Sequence, residues 1–429
     1  MALSFSVKDA HTVMTLMGRQ ATGNAALTVT DATGFVSTGT TIKSMGTETL
    51  FNTVSIVLNR LIVASRSYRR SLYLMDAMDT GVYSALMRKI SFYSDDPMPT
   101  GASNTDLYTN FAEGFTAGQN GTDPVSGDPI STKSQWEQHR KVPLEMHFCS
   151  QAEWQYCITL DEDRLEIAFR NEEEFNRFMA GYLQEHANDI EQTHEAWNRL
   201  ALLNKVASIY AMSSDMNGGA IDLVAAYNAK YGTSYTGTQL RTTYRKEFLG
   251  FFVAMVRQVS DYMAERNKLY HWSVDKTING VTQSILRHTP YEDQRFYLYD
   301  RFFIDAESEV LPEIFHDDRL DIKKQYQPVT FWQAITSATA GDARAQINFT
   351  PVITNTSTGA QETAGSAVVL PYVLGLITDV DGLMTNFELE RVDTTMPEAR
   401  KHYRNTWNTF RRGAICDPTE KAVLLYMAS

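Results

Sequence analysis

Two Glu-x-x-His pairs are the part of the sequence most similar to a metal-binding motif. Glu191 and His194 form one pair, and Glu313 and His316 form the other. This spacing puts both side chains of a pair on one helix face, as helical di-iron sites require. Such a site also needs two further helical carboxylates, which do not accompany these pairs, and the second pair lies next to Pro312. The sequence therefore favours solvated or salt-bridged surface pairs, with a helical metal-dependent oxidase as the minor alternative.

Other catalytic signatures are missing from the sequence. It contains no G-x-x-x-x-G-K-[ST], no G-x-S-x-G, no H-E-x-x-H and no paired C-x-x-C. Asp379, Asp381 and Gly382 match part of a calcium loop, but the surrounding ligands are absent, so a turn is favoured. We therefore expect no catalytic residue, no metal and no cofactor, and we expect that the protein is not an enzyme.

Composition and charge limit the compartment and the partners. The 429 residues are 43% hydrophobic and 21% charged, as in globular proteins, and the formal net charge of -12 disfavours tight binding to nucleic acid. Three widely spaced cysteines, Cys149, Cys157 and Cys416, predict a reducing cytoplasm, and the first two are expected to be small core residues. We expect no signal peptide, because the first residues lack a basic region followed by an apolar run. We expect no membrane segment, because no apolar stretch approaches about 20 residues.

A basic run near the end of the chain stands out against this acidic balance. It could face nucleic acid or acidic neighbouring subunits, and simple solvation is an equally good interpretation. The run, within 391–412, consists of Arg391, Arg400, Lys401, Arg404, Arg411 and Arg412.

A long helix is predicted over Asn171–Met212 and must position the first Glu-x-x-His pair. Gly181 is the only Gly or Pro within it, and Asn171 can cap its first turn. Its bulky residues recur at helical spacing: Phe175, Phe178, Met179, Tyr182, Ile190, Trp197, Leu200, Leu203 and Val206. A helix of this length spans about 60 Å, more than a compact domain needs. We interpret it as the spine of a larger subunit.

The segments before the spine differ sharply in character. Residues 1–48 are rich in Thr, Gly, Ser and Ala, which predicts an extended or weakly ordered arm. Leu50–Asp79 has helical spacing. Ser94–Thr132 has turn formers every few residues, and a loop near 40 residues is uncommon inside a compact domain.

The remaining pattern predicts a mixture of strands and helices. Helices are predicted at Ala220–Lys230 and Gly237–Arg266, with a short one starting at Asp305. The predicted strands are Leu144–Phe148, Trp154–Leu160, Leu165–Phe169, Tyr291–Ile304, Gln346–Ile353, Val368–Leu376, Phe387–Val392, Tyr403–Cys416 and Ala422–Met427. No internal repeat is visible, which argues against a fibre or adhesive protein.

The order of these pieces resembles the major capsid protein of tailed phages, the Hong Kong-type capsid fold that is also found in encapsulin shells. Two stretches carry the match locally. Phe296–Phe315 (FYLYDRFFIDAESEVLPEIF) looks like the strand and helix of the family's axial domain. Tyr403–Met427 (YRNTWNTFRRGAICDPTEKAVLLYM) is similar to its carboxy-terminal ending. The coat proteins of short-tailed phages look most similar.

The resemblance implies an α+β capsid fold with a definite layout. An N-terminal arm and helix would occupy 1–90 and an extended loop 91–143. A peripheral domain would occupy 144–215, with the spine helix at 171–212. The axial domain would fill 216–377, and 378–429 would hold return strands of the peripheral domain and the tail.

The resemblance also implies a function and partners. The protein would assemble as pentamers and hexamers into an icosahedral shell, in the host bacterial cytoplasm, and would end in the virion. A separate scaffolding protein and a portal protein would be its partners, and packaged double-stranded DNA would make weak, non-specific contacts. An encapsulin-like shell is the nearest alternative, and the metal-dependent oxidase is the alternative from another class.

Overall fold

The chain has helices and sheets in separate runs, as the α+β class predicted. The computed structural model describes residues 7–45, 72, 76–79, 87–94, 141–148, 152–161, 172–278, 281–302, 304, 326–333, 341–396 and 403–428. Several predicted features lie outside these residues: the Glu313/His316 pair, Cys149, the Leu165–Phe169 strand, most of the long loop, and Arg400 and Lys401. Among the described residues, no helix is both long enough and apolar enough to cross a membrane.

The predicted spine is confirmed as one helix, here α3, over Glu172–Ala211. Its 40 residues correspond to about 60 Å. The apolar face was predicted only in part. Ile190, Leu203 and Val206 are buried, but Leu200 is 44% exposed.

The prediction of an extended or weakly ordered arm at residues 1–48 is wrong for its described part. Two helices form there, α1 at Val7–Thr22 and α2 at Ala32–Ser44, and both contact the spine. The side chain of Asp31 caps α2 by accepting from the Gly34 amide at 2.7 Å. Although the segment is mostly polar, the two helices bury a small set of apolar residues at helical spacing: Ala10, Val13, Met14, Met17, Phe35 and Ile42.

A five-stranded sheet forms the main core together with the carboxyl-terminal part of the spine. Its order is β5-β17-β14-β8-β9. The strands are β5 at Ala220–Asp222, β8 at Gln294–Tyr299, β9 at Tyr326–Val329, β14 at Tyr372–Asp379 and β17 at Ala422–Met427. β17 has the predicted bounds, but it joins this sheet rather than the one that contains the preceding strand. Every residue of β14 is buried, as expected for a central strand with both faces covered.

Three helices follow the spine and help to form this core. They are α4 at Leu223–Tyr231, α5 at Gly237–Thr242 and α6 at Arg245–Ala264. α4 ends at Gly232 as predicted, with φ +65°. Its predicted first residues instead pair as β5 with β17. The helix predicted over Gly237–Arg266 is interrupted before α6, where Tyr244 stacks on Tyr235 with ring centroids 4.0 Å apart.

A four-stranded sheet lies along the spine. Its order is β1-β15-β16-β4, with β1 at Asp76–Asp79, β4 at Ala152–Asp161, β15 at Leu383–Thr394 and β16 at Tyr403–Cys416. β16 matches its predicted bounds. The helix predicted at Leu50–Asp79 is wrong at its end, because Asp76–Asp79 pairs in parallel with β15. The rest of that segment, Leu72 apart, lies outside the described residues.

Short strands complete the structure. β2 at Met87–Phe92 pairs antiparallel with β3 at Pro143–Phe148, and β6 at Lys276–Ile278 pairs with β7 at Val281–Gln283. Two predicted strands are each split at a proline, which has no amide to donate to a sheet. Pro351 separates β10 at Ile347–Phe349 from β11 at Val352–Thr354, and Pro371 separates β13 at Val368–Leu370 from β14. β10 pairs with β13, and β11 pairs with β12 at Gln361–Thr363.

Two predicted boundaries around β8 differ from the structure. The strand predicted at Tyr291–Ile304 contains β8 but begins with a 3-10 turn at Tyr291–Asp293. The helix that follows begins at Asp300, not at the predicted Asp305. The turn predicted at Asp379–Gly382 is confirmed, since Asp379 Oδ1 accepts from the Asp381 amide at 2.8 Å.

Candidate functional site

Polar contacts between the spine and the end of the chain are the most organised chemistry in the described structure. Within the residues it describes, no group of three or more His, Cys, Asp or Glu could hold a metal ion. The groups that do come together lie along one side of α3, beneath β16 and the turn that follows it.

The Glu191/His194 pair is not the surface pair that the sequence favoured. His194 is buried, with 6% of its surface exposed, and Glu191 is partly buried. Arg412 Nη2 lies 2.9 Å from His194 Nδ1, and the ring of Phe410 packs edge-on against the imidazole with centroids 5.2 Å apart. Because a guanidinium can only donate, His194 Nδ1 must accept, which requires the neutral imidazole. The histidine therefore serves packing between the helix and the sheet.

His194 belongs to a row of buried polar side chains on the spine. His186, His194, Asn198 and Lys205 are all less than 7% exposed. Their spacings of eight, four and seven residues keep them on one face of the helix. We call these four residues the polar row.

Each member of the polar row meets a partner from a distant part of the chain. Asn408 Nδ2 lies 2.6 Å from His186 Nε2. Asn198 Nδ2 donates to the Leu72 carbonyl at 2.8 Å, and Lys205 Nζ donates to the Asp417 carbonyl at 2.6 Å. A buried polar group without such a partner would cost about 1–3 kcal/mol, so these contacts specify where the chain must lie.

The rises of helix and strand explain why the row stays in register. From His186 to His194 the helix rises about 12 Å, and from Asn408 to Arg412 the strand rises about 13 Å. From His194 to Lys205 the helix rises about 16 Å, matching about 16 Å from Arg412 to Asp417. β16 therefore runs in the same direction as the spine, with polar partners repeating in step.

Burial changes the acid–base chemistry of His186. Burial lowers the pKa of His186 to about 4, and the nearby carboxylate of Asp189 only partly opposes this shift. The imidazole is therefore neutral at pH 7 and can accept from Asn408. The ring of Tyr156 on β4 packs edge-on against it, with centroids 6.2 Å apart.

A second cluster lies at the turn Asp417–Lys421, between the two sheets. Lys89 Nζ donates to Asp417 Oδ2 and to Glu420 Oε1. Arg287 Nη2 lies 3.3 Å from Glu420 Oε1, and Arg287 Nε donates to the Thr419 carbonyl at 3.2 Å. We call Lys89, Arg287, Asp417 and Glu420 the charged junction.

The turn itself is held by the neutral donors of Thr419 and by two buried lysines. Asp417 Oδ1 accepts from the amide and the hydroxyl of Thr419, at 2.8 and 2.7 Å. Lys421 Nζ donates to the carbonyls of Tyr262 and Glu265 at 2.9 and 2.7 Å. A cation at those carbonyls stabilises the carboxyl end of α6. Lys205, from the polar row, is the second lysine and donates to the Asp417 carbonyl.

The direction in which each pKa is shifted shows which groups of the junction stay charged. Burial would lower the pKa of Lys89, but Asp417 and Glu420 outweigh it and raise that pKa. Burial would raise the pKa of Asp417, but Lys89 and the Thr419 donors bring it below its usual value. Burial raises the pKa of Glu420, although Lys89 and Arg287 oppose the shift. Asp417 is thus the carboxylate that stays charged, and Glu420 is the one that takes up a proton first.

The basic run separates into two groups, because neighbouring strand residues point to opposite faces. Arg404 and Arg412 are 3% and 2% exposed, so solvation is wrong for these two. Arg391 and Arg411 are exposed or half-exposed and pair with Asp393 at 2.6 Å and Glu153 at 3.3 Å. This run therefore offers no continuous basic surface among its described members.

The side of the four-stranded sheet turned away from the spine is exposed along β4 and only partly exposed along β16. Cys157, predicted to be a core residue, is exposed here, because it pairs with Trp407 on the face opposite to Asn408. Trp407 is 36% exposed, while Glu153 and Arg411 cross the same face.

The β2–β3 pair exposes a second surface. Ile90 is 46% and Phe92 59% exposed, and Arg88 pairs with Glu145 at 3.0 Å on the same side. Both segments of chain that connect this pair to the long loop, at 93–94 and 141–142, are described. Two large exposed apolar side chains on one small strand pair suggest an interaction surface.

Sequence reasoning missed the polar row and the charged junction. The predicted buried face of the spine included Leu200 but not Asn198 and Lys205, which are 0% and 1% exposed. A weak signal existed, because His186, Ile190, His194 and Asn198 recur every four residues. No local signal pointed from Lys89 to Asp417, since 328 positions separate them.

No protein-family model and no curated protein matches the chain. It is similar to the capsid structure of Staphylococcus phage Andhra, with 10% identity over 83% of this chain and 84% of the other, and a TM-score of 0.47. It is similar to the capsid of cyanophage P-SCSP1u, with 12% identity over 85% and 90%, and a TM-score of 0.42. It is also similar to the mature capsid of bacteriophage PhiM1, with 9% identity over 85% and 89%, and a TM-score of 0.39.

Proposed function

We propose that this protein is the major capsid protein of a tailed phage, a structural subunit that assembles into a closed shell around the genome. One observation carries the proposal. A helix of about 60 Å joins an apolar five-stranded core at its carboxyl end to a four-stranded sheet along its side. In a shell, neighbouring copies would cover the exposed part of this sheet, where Trp407 is 36% exposed.

Exposed apolar surface supports the same conclusion. Ile90 and Phe92 on the β2–β3 pair and Trp407 on β16 lie in water in the isolated chain. In a closed symmetric assembly each contact repeats around a ring, so a modest free energy per contact stabilises the whole particle. Copies of the chain are therefore the partners that these surfaces fit best.

The predicted layout becomes part of the proposal. The peripheral domain comprises 144–215 and the return strands of 378–429, the axial domain comprises 216–377, and 91–143 is the extended loop. The particle is built in the host cytoplasm from pentamers and hexamers with a separate scaffolding protein and a portal protein. The net charge of -12 supports only weak, non-specific contacts with the enclosed double-stranded DNA.

The test is to express the chain alone and with its neighbouring genes, and to examine the product by sedimentation and negative-stain microscopy. We expect regular shells, at least when a scaffold is present. Phe92→Asp should prevent assembly and leave a subunit with the helicity and melting temperature of the unaltered chain, because Phe92 is 59% exposed. Phe92→Leu is the matched control and should assemble.

A monomer under all conditions would contradict the proposal. Normal shell formation by Phe92→Asp would instead show that the β2–β3 surface is not part of the interface. Shells that enclose a protein cargo instead of DNA would identify the encapsulin-like alternative.

A further inference from the structure

The β2–β3 pair is attached to the rest of the protein by charge more than by apolar packing. Of its described large apolar side chains, Ile90 and Phe92 are exposed, and Leu144, Met146 and Phe148 are only partly buried. None of these five belongs to the core. The apolar contribution to holding this pair in place is therefore small.

The polar side chains on its inner side are held more tightly. Lys89 enters the charged junction, where Asp417 is 1% and Glu420 9% exposed. Ser91 is 4% exposed and accepts from Arg287 Nη2 at 2.6 Å. Since successive strand residues alternate in direction, Lys89 and Ser91 point inward while Ile90 and Phe92 point outward.

The acceptor for Lys89 is organised by residues outside the strand pair. Thr419 holds one oxygen of Asp417, Lys205 holds the Asp417 carbonyl, and Arg287 supports Glu420. Arg287 lies near one of the two carboxylates, so the second needs the ammonium of Lys89. Without that ammonium, a carboxylate buried in the junction would lose its charged partner, which is strongly unfavourable.

We propose that Lys89 is a positioning residue that latches the β2–β3 pair, and with it both ends of the long loop, in one orientation against the body of the subunit. The latch differs from an apolar contact in one respect. When it opens, the ammonium and both carboxylates regain their hydration, which offsets part of the lost attraction. The contact therefore specifies one orientation and remains reversible.

The consequence for assembly rests on the proposed function. In a shell, the direction in which the loop leaves the subunit decides which neighbour it meets. A released latch would leave subunits folded while the diameters of the particles became heterogeneous.

Hydrogen exchange on the free, full-length chain tests the latch without any assumption about shells. In Lys89→Met, amide exchange in 87–92 and 143–148 should rise about tenfold or more, because an isolated two-stranded hairpin is only marginally stable. Exchange in β14 and β17 should not change. Lys89→Arg, which keeps the charge, should exchange more slowly than Lys89→Met.

Arg88→Met is the matched control on the same strand. Arg88 pairs with Glu145 on the outer side, where the two side chains are 57% and 43% exposed. Its loss should leave exchange in the strand pair unchanged, since exposed ion pairs contribute little. Equal exchange in Lys89→Met and Arg88→Met would overturn the proposal, as would an equal rise throughout the five-stranded sheet.

Glu420→Gln keeps the test decisive if Lys89→Met does not fold. It removes one carboxylate and leaves Asp417, so the rise should be smaller and confined to the strand pair. Unchanged exchange there would overturn the latch. If exchange changes as expected but the unaltered chain never forms shells, the latch stands and the proposed function fails.

Discussion

The five-stranded and four-stranded sheets are stabilised by different kinds of contact. The first packs mainly apolar residues, with Phe248 and Phe252 of α6 and Leu376 of β14 almost completely buried. The second lies on the spine through polar side chains, in particular Asn408 and Arg412, which meet His186 and His194. Apolar packing is non-directional, whereas hydrogen bonds need one register and one protonation state.

This difference suggests that the two sheets contribute differently to the stability and to the geometry of the subunit. The apolar sheet supplies most of the free energy of folding. The polar row contributes less net free energy but specifies how β16 lies along the helix. A subunit that must present fixed surfaces to its neighbours benefits from both.

The largest effect is expected for a truncation in the apolar region. Phe248 is 0% exposed and touches the rings of Tyr227, Phe251 and Phe302. Phe248→Ala should lower the free energy of unfolding by about 3–5 kcal/mol, measured by denaturant titration. Val369→Ala is the control and should change it by less than about 0.5 kcal/mol, because Val369 is 65% exposed. Equal losses would mean that the core is misplaced.

Two neighbouring arginines test the polar region directly. Arg412→Gln should cost about 2–4 kcal/mol, because it removes a buried charge and its bond to His194. Arg411→Gln should cost less than about 1 kcal/mol, because the pair with Glu153 is exposed. Thermal unfolding of both variants measures the difference, and similar shifts in melting temperature would contradict the assignment of the two faces.

Acid should destabilise the polar region before it affects the apolar one. The pKa of His186 falls from 6.5 to about 4 in the folded chain, so the unfolded state binds more protons between these values. Stability therefore rises with pH across this window and is lost on acidification, by on the order of 3 kcal/mol at pH 4. Denaturation at pH 7 and pH 4 measures the loss.

His186→Gln provides the control for the acid effect. Its amide oxygen can still accept from Asn408 but does not titrate. The variant should lose less stability on acidification than the unaltered chain. An unchanged pH dependence would show that other groups cause the acid effect.

The smallest effect is expected at Trp197, which the sequence placed on the apolar face of the spine. If buried, its truncation would cost about 3–5 kcal/mol. In the structure Trp197 is only partly buried and packs edge-on against Trp154, which is itself 46% exposed, with centroids 6.0 Å apart. Trp197→Ala should therefore cost about 1–3 kcal/mol by thermal unfolding. A loss as large as that of Phe248→Ala would restore the original expectation.

Local patterns in the sequence determined several elements of this protein. The strands β16 and β17 have their predicted bounds, and the spine agrees with its prediction to within one residue at each end, because long uninterrupted spacing is a strong local signal. The turn at Asp379 and the helix end at Gly232 followed from backbone chemistry. The α+β class and the resemblance to phage capsid proteins both followed from the order of such elements.

Tertiary structure decided what those elements contact. The same composition that predicted an extended arm forms α1 and α2, because the spine offers a surface on which they can bury Met14 and Phe35. From sequence alone, a histidine or a lysine is expected at the surface. His194 and Lys205 can be buried because they bond to Arg412 and to the Asp417 carbonyl. Those partners lie more than 200 positions away, so periodicity along the chain carries no information about them.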